Sequence, residues 1–337
     1  MASVGYTLNK EIDRQKILDA ITQDGRELGV LPQLSRIKPK LDIRTFKTLP
    51  STSTYLWEKL RIGQADSGTA IIAQCQSAGR GQRGRQWESE AGGLYLSLAI
   101  EPNWPITHSA QLTCLSAWGI TTALNNLGIA ANIKWPNDIL YKGKKLGGIL
   151  TETKLSHATL SADDFPQAGQ SEAIITQAVI GVGMNWHNPV PKTGINLLNI
   201  LETDESIEVD KNKINCLEVL IALVLRGILQ GVIFQQQVGS QVFMKAYQKL
   251  LTQVGRTVSL DSNGKLSLAS PVQDISDRRL SPQSSDLWAN RSGEVVGISE
   301  EGYLEVALSR SNHHIEGHLD SPNKKILRLK PSEICIS

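Results

Sequence analysis

The sequence predicts an α/β protein in which a mixed β-sheet flanked by helices is followed by a small C-terminal β-barrel. Three observations point there. Strand-like runs at residues 69–75 (TAIIAQC), 94–100 (LYLSLAI) and 174–182 are interspersed with long helical patterns at residues 109–127 and 213–237. Their spacing is too uneven for strict βαβ alternation, so part of the sheet is hairpin-linked. After Gly255 the pattern turns to short strands separated by turn signals, as in a small barrel of roughly five strands. The 337 residues, 40% hydrophobic and 20% charged, suffice for one large and one smaller domain. The expected divisions are an N-terminal segment at 1–44, the α/β domain at 45–252 and the barrel at 253–337.

Taken in order, residues 1–40 are polar and mixed, with one short helix expected at 10–21. The hydroxyl-rich LPSTSTY at 49–55 precedes a helix at 55–62 and suits an N-cap. The strands at 69–75 and 94–100 follow, with Pro102 just past the second. In 109–127, Leu112, Leu115, Trp118 and Ile120 turn one face inward, and Gly128 stands where a helix ends. A short strand runs into Lys134. After a turn and the basic stretch 142–145, a strand spans 146–152. Residues 156–172 are polar and rich in small side chains, as in a solvated insertion. The strand at 174–182 continues into Gly183. The helix at 213–237 has Leu217, Leu220, Val224 and Ile228 on one face, and a second helix follows at 240–251. The C-terminal strands are RTVSL, GEVVGIS, GYLEVAL and KILRL, with a serine-rich insertion at 261–290.

Composition narrows the function. A formal net charge of +2 gives no global field toward nucleic acid or anionic lipid, so any basic site is local. The longest apolar run, 219–225, is far too short to span a bilayer, and residues 1–10 lack the apolar core of a signal peptide. A cytoplasmic location is the expectation. The N-terminal segment is too short for three helices and a wing, so no DNA-binding domain is expected there. Cys75, Cys114, Cys216 and Cys335 lack CxxC spacing and read as reduced thiols. His314 and His318 stand four apart among strand-like segments, where that spacing does not build a metal site.

Four stretches carry chemistry. In QSAGRGQRGRQW (76–87), Gly79, Gly81 and Gly84 interleave with Arg80, Arg83 and Arg85 directly after a strand. Glycines let backbone N–H groups approach a ligand, arginines fork onto carboxylate or phosphate, and Trp87 offers a flat face for a base. An exposed basic hairpin is the plain alternative, and an RNA-binding segment another, although such segments are longer and repetitive. In IKWPNDILYKGKKLGGIL (133–150), Lys134 ends an apolar strand, where a lysine is costly unless it faces a cleft or an anion. Asn137 and Asp138 project from the Pro136 turn, and Gly147 and Gly148 interrupt a strand as where a ligand packs on backbone; an ordinary β-turn accounts for the Trp135–Asp138 stretch alone. In VIGVGMNW (179–186), Gly181 and Gly183 with Asn185 permit close approach of a nucleotide, a weak signal by itself. In LPSTSTY, the hydroxyls of Ser51, Thr52 and Ser53 serve a cap, a polar ligand head, or both.

In this order and spacing, GRGxRGR-x-W, KWPND, KLGGIL-x-E and GxGxN resemble the biotin–protein ligases, over roughly residues 45–335. The resemblance implies a catalytic domain similar to that of class II aminoacyl-tRNA synthetases and a small C-terminal β-barrel. It implies two steps: biotin and ATP form biotinyl-5'-AMP and pyrophosphate, and a lysine of a biotin carboxyl carrier protein of acetyl-CoA carboxylase then takes the biotin. By motif position, Lys134 and Arg80 would be catalytic, Lys134 bridging the biotin carboxylate and the α-phosphate. Ser51, Thr52, Ser53, Gln76, Gly79, Gly81, Gln82 and Gly148 would join them around biotin. Arg83, Arg85, Trp87, Asn137, Gly183 and Asn185 would face the nucleotide, with Asp138 a candidate for Mg²⁺. The loop is expected to be mobile when empty and ordered over the adenylate. Monomer and homodimer both stay open.

The chain departs from common family forms in three places. Gln82 stands where many members carry arginine, an arginine frequent after the last strand has no counterpart, and the N-terminal repressor domain of some members is not seen. Two rivals remain. A lipoate or octanoate ligase of the same fold would need a longer apolar tunnel, and a non-catalytic RNA- or anion-binding module would show steep salt dependence and no need for ATP.

Overall fold

The computed structural model describes residues 11–157, 173–205, 213–260, 265–268, 291–308, 326–331 and 335–336. The N-terminal stretch forms α1 (Arg14–Thr22), capped by the Asp13 carboxylate, and leads to β1 (Asp42–Leu49). Ser51 caps α2 (Thr52–Arg61), as its hydroxyl-rich approach requires, and Lys59 and Arg61 complement its C-terminal dipole. Then come β2 (Thr69–Gln76), β3 (Leu94–Ile100), the two-residue β4 (Trp104–Pro105) and α3 (Ser109–Asn126). A meander of β5 (Ala131–Lys134), β6 (Asp138–Tyr141), β7 (Lys144–His157) and β8 (Ala173–Met184) follows. Two helices, α4 (Leu197–Thr203) and α5 (Leu217–Gln248), complete this part.

The main sheet has eight strands, ordered β1-β2-β3-β8-β7-β6-β5, with β4 also on β8. The β1–β2 pair is parallel and the others are antiparallel, so the sheet is mixed. Buried residues of β2 alternate between the two faces: Ala70 and Ile72 join the large core, Ile71 and Ala73 a smaller one with Leu56 of α2. Burial on both sides is why this strand reads as a continuous apolar run. Helices α1, α3 and α5 fill the large core.

Helix α5 bends at Gly239 (φ 78°, ψ 164°), which joins two stretches read from the sequence as separate helices. Although its strictly apolar run is short, α5 is long and apolar enough to cross a membrane by length and composition. Here its residues 220–228 are buried, and it lies close against α3. Residues 11–41, which read as polar and mixed, are part of the same core: Ile17, Ile21, Leu28, Val30 and Leu34 are all buried.

The C-terminal strands are β9 (Thr257–Leu260), β10 (Lys265–Leu268), β11 (Arg291–Ile298), β12 (Leu304–Leu308), β13 (Ile326–Leu329) and β14 (Cys335–Ile336). They form a second sheet in the order β13-β12-β11-β9-β10-β14. Thus β10 is a strand within the stretch read as an insertion. Residues 158–172, most of 261–290, and His314 and His318 lie outside the described residues.

Candidate active site

One cleft gathers most of the expected residues. Ser51, Thr52, Ser53, Gln76, Arg80, Gly81, Gln82, Arg83, Arg85, Trp87, Lys134, Asn137, Asp138, Gly148 and Gly183 all line it. Gly79 and Asn185 do not. Gly79 lets the two limbs of the loop approach, since a Cβ there would collide with the Trp87 carbonyl and the Ser89 hydroxyl. Asn185 donates from Nδ2 to the carbonyls of Lys145 (3.3 Å) and Ile195 (3.2 Å), and so fixes the backbone beside the cleft.

The floor is made of glycine. On β7 and β8, Gly148 pairs with Gly183 and Leu150 with Gly181. A Cβ on Gly148 would stand 3.0 Å from the Trp87 ring, one on Gly183 would enter it, and one on Gly181 would come within 2.8 Å of the Ser53 hydroxyl. Backbone therefore forms the surface on which the indole and the hydroxyl lie. The indole N–H of Trp87 is buried and has no acceptor among the described residues.

One end of the cleft is a hydroxyl–amide network set by the start of α2. Ser97 lies 2.8 Å from the Thr52 hydroxyl and 2.9 Å from that of Ser53. The Gln76 carboxamide oxygen accepts from the Thr52 backbone N–H (2.8 Å), and its NH₂ donates to Ser89 (2.8 Å). The Ser51 hydroxyl accepts from the Thr54 N–H at 3.4 Å. The cap and the polar lining are therefore the same residues.

The glycine–arginine stretch is a short hairpin. Arg80 pairs with Gln86, Gly81 donates to the Arg85 carbonyl (2.7 Å), and Trp87 donates to that of Gly79 (3.0 Å). At its tip Arg83 (φ 58°) and Gly84 (φ 72°) both take left-handed backbone, which turns the chain in the fewest residues. Arg80 forks onto Glu152 of β7, with N–O distances of 2.7 and 3.2 Å. Arg83 donates to the Pro331 carbonyl beside β13.

The charged centre lies between β5, β6 and β7. Asp138 pairs with Lys145 at 2.7 Å, and the Lys145 ammonium sits 5.0 Å from the Trp87 ring centroid, in cation–π range. Lys134 is half-buried. Burial holds its pKa below the usual lysine value; the nearby Asp138 opposes this, while Lys145 and Arg85 reinforce it. Two lysines thus flank one carboxylate. Lys145 went unassigned in the sequence because it reads as part of a basic surface turn. Its signal is its position three residues before Gly148 on a strand broken by glycine. Ser97, inside an ordinary apolar strand, carries no such signal. Among the described residues no three His, Cys, Asp or Glu side chains cluster as a metal site.

Comparison with known proteins places this architecture. Residues 45–162 match the model of the biotin/lipoate A/B protein ligase family. The bifunctional ligase/repressor BirA of Salmonella typhimurium is 31% identical over 266 residues, covering 75% of this chain and 76% of that protein. Its namesake in Bacillus spizizenii is 36% identical over 179 residues, 50% of either chain, so the chain spans about half the length of that relative. In fold, the chain is similar to the biotin protein ligase of Aquifex aeolicus solved with biotin and ATP. That match has a TM-score of 0.54 at 22% identity and covers 87% of this chain and 97% of the other.

Proposed function

The chain belongs to the biotin/lipoate A/B protein ligase family, and from that premise we propose that it is an ATP-dependent biotin–protein ligase. The observation that carries this is the cleft itself: a glycine floor under Trp87, a hydroxyl–amide end, and two lysines beside one carboxylate. The polar end, with Ser51, Thr52, Ser53, Gln76 and Ser97, suits a ureido head better than the apolar tail of lipoate or octanoate. Trp87, lying on the backbone of Gly148 and Gly183, suits a flat base.

In the first step a biotin carboxylate oxygen attacks the α-phosphorus of ATP, the bond to the β-phosphate oxygen breaks, and pyrophosphate leaves. Two anions must meet. Lys134 and Lys145 offset that repulsion from fixed positions, and in the transition state they compensate the growing charge on phosphorus. Arg80, Arg83 and Arg85 roof the site, and closure of the loop excludes water from the mixed anhydride. In the second step an acceptor lysine amine attacks the acyl carbon and AMP leaves. Asp138 is the carboxylate placed to hold Mg²⁺ together with phosphate oxygens, a donor set that ion favours; the ion would supply charge neutralisation there. The acceptor we infer is a biotin carboxyl carrier domain. The second sheet is read as the small barrel that accompanies this domain, and the location as the cytoplasm, without a role for DNA.

The test is incubation with biotin, ATP and a carrier domain, followed by mass spectrometry. One biotin should be added per carrier, only with ATP and not when its target lysine is arginine. Addition of lipoate or octanoate in preference to biotin would refute the assignment.

A further inference from the structure

The glycine–arginine hairpin is tied to the main sheet through both of its limbs, and both ties fall on β7. On one limb the Trp87 ring lies over Gly148, where a Cβ would stand 3.0 Å from it. On the other, the terminal nitrogens of Arg80 lie 2.7 and 3.2 Å from the two carboxylate oxygens of Glu152. Strand β7 pairs with β8 in regular register from Gly147 to Lys154. Side chains alternate along such a strand, so positions 148, 150 and 152 share one face. Gly148 and Leu150 line the cleft, as does Arg80. Glu152 therefore continues the cleft floor outward and meets the hairpin at its edge.

An exposed ion pair between two long side chains contributes little to folding. This pair differs in what it joins. Gly79, Gly81 and Gly84 give the hairpin high conformational freedom. Backbone bonds from Gly81 to the Arg85 carbonyl and from Trp87 to that of Gly79 hold the limbs to each other, but not to the sheet. The Glu152 side chain is 23% exposed against 47% for Arg80, so the strand fixes the carboxylate and the arginine comes to it. A two-nitrogen contact sets the plane of the guanidinium. The group has more donors than one carboxylate takes, so Arg80 keeps N–H groups for a second anion in the cleft.

We propose that Glu152 is a positioning residue for adenylate formation: acting through Arg80, it docks the hairpin on β7 and presents the guanidinium to the anions in the cleft. The role rests on the ligase reading above. Glu152 touches no reacting atom in it. Without the carboxylate, a bound ligand would itself have to order a long side chain on a glycine-rich hairpin, and that cost appears as weaker binding.

The experiment places Glu152→Gln, which keeps the shape and removes the charge, in the full chain with Arg80 intact and with Arg80→Ala. Two quantities are read: amide hydrogen exchange of the peptide covering residues 79–87 without biotin or ATP, and the kinetics of biotin-dependent pyrophosphate exchange. With Arg80 intact, Glu152→Gln should speed hydrogen exchange in the hairpin about fivefold or more. It should raise the KM for biotin about five- to tenfold, with kcat within about twofold and the urea midpoint unchanged. With Arg80→Ala, the same substitution should change neither reading. Unaltered hydrogen exchange, a KM that stays or falls, a loss confined to kcat, or an equal effect with Arg80→Ala would overturn the role of Glu152. Absence of biotin-dependent exchange in the wild type would instead overturn the ligase reading, and the hydrogen exchange would still decide whether Glu152 docks the hairpin.

Discussion

At the scale of single residues, the site depends on how its cations are committed. Arg80 is held by Glu152, Arg83 by a carbonyl near the second sheet and Lys145 by Asp138, while Lys134 is half-buried at the end of β5. Because burial lowers the Lys134 pKa, its ammonium loses its proton at a lower pH than an ordinary lysine would. Biotin-dependent pyrophosphate exchange should therefore fall on the alkaline side below the usual lysine pKa. Lys134→Arg, whose guanidinium stays charged, should move that limb to higher pH; an unmoved limb would assign it to another group. Gln82 lines the cleft without charge. Gln82→Arg adds a charge-assisted contact to the adenylate and should slow its release about tenfold or more, read by trapping free biotinyl-adenylate. Whereas Gln76 and Gln82 were marked only by the family resemblance, Arg80, Arg83, Arg85, Lys134, Gly81, Gly148 and Gly183 were legible in the sequence because glycine, arginine and lysine stand where an apolar strand would not place them. Lys145 was not, because a lysine in a polar turn is ordinary; only the pairing of β6 with β7 brings it beside Asp138.

At the scale of elements, long buried pieces were legible and short or exposed ones were not. Strands β2, β3 and β8, buried on both faces, appear as apolar runs. Strand β1 lies at the sheet edge and buries only Ile43 and Leu49 deeply, so no run or alternation marks it. Strand β6 has four residues and follows directly on the Pro136 turn. Helices α3 and α5 approach closely because glycines meet at the crossing. A Cβ on Gly231 would strike the Leu115 carbonyl, and one on Gly119 the Gly227 carbonyl. Gly231→Leu should force the helices apart and cost about 3 kcal/mol in urea unfolding. A loss under about 1 kcal/mol would show that the crossing relaxes freely.

At the scale of the whole molecule, parts that read as separate pack against the α/β core and, in the case of the second sheet, beside the site. Residues 11–41 pack on α5, where the Asp13 N–H donates to Glu218 (3.2 Å) and Leu31 donates to buried Gln230 (3.0 Å). The second sheet reaches the Trp135–Pro136 turn, where the Trp135 indole N–H donates to the Gly302 carbonyl at 3.1 Å. From the other side, the buried Tyr247 hydroxyl of α5 donates to the Pro136 carbonyl at 3.0 Å. Such long-range seating has no local signature, which is why the sequence shows the motif and not its supports. The central claim is that this supported cleft joins biotin to AMP by means of its two lysines. Biotin-dependent ATP–pyrophosphate exchange tests it most directly, comparing the wild type with Lys134→Ala and Lys145→Ala. The account predicts exchange in the wild type that requires biotin and a fall of about a hundredfold in each variant; absence of biotin-dependent exchange, or undiminished exchange in both variants, would contradict it.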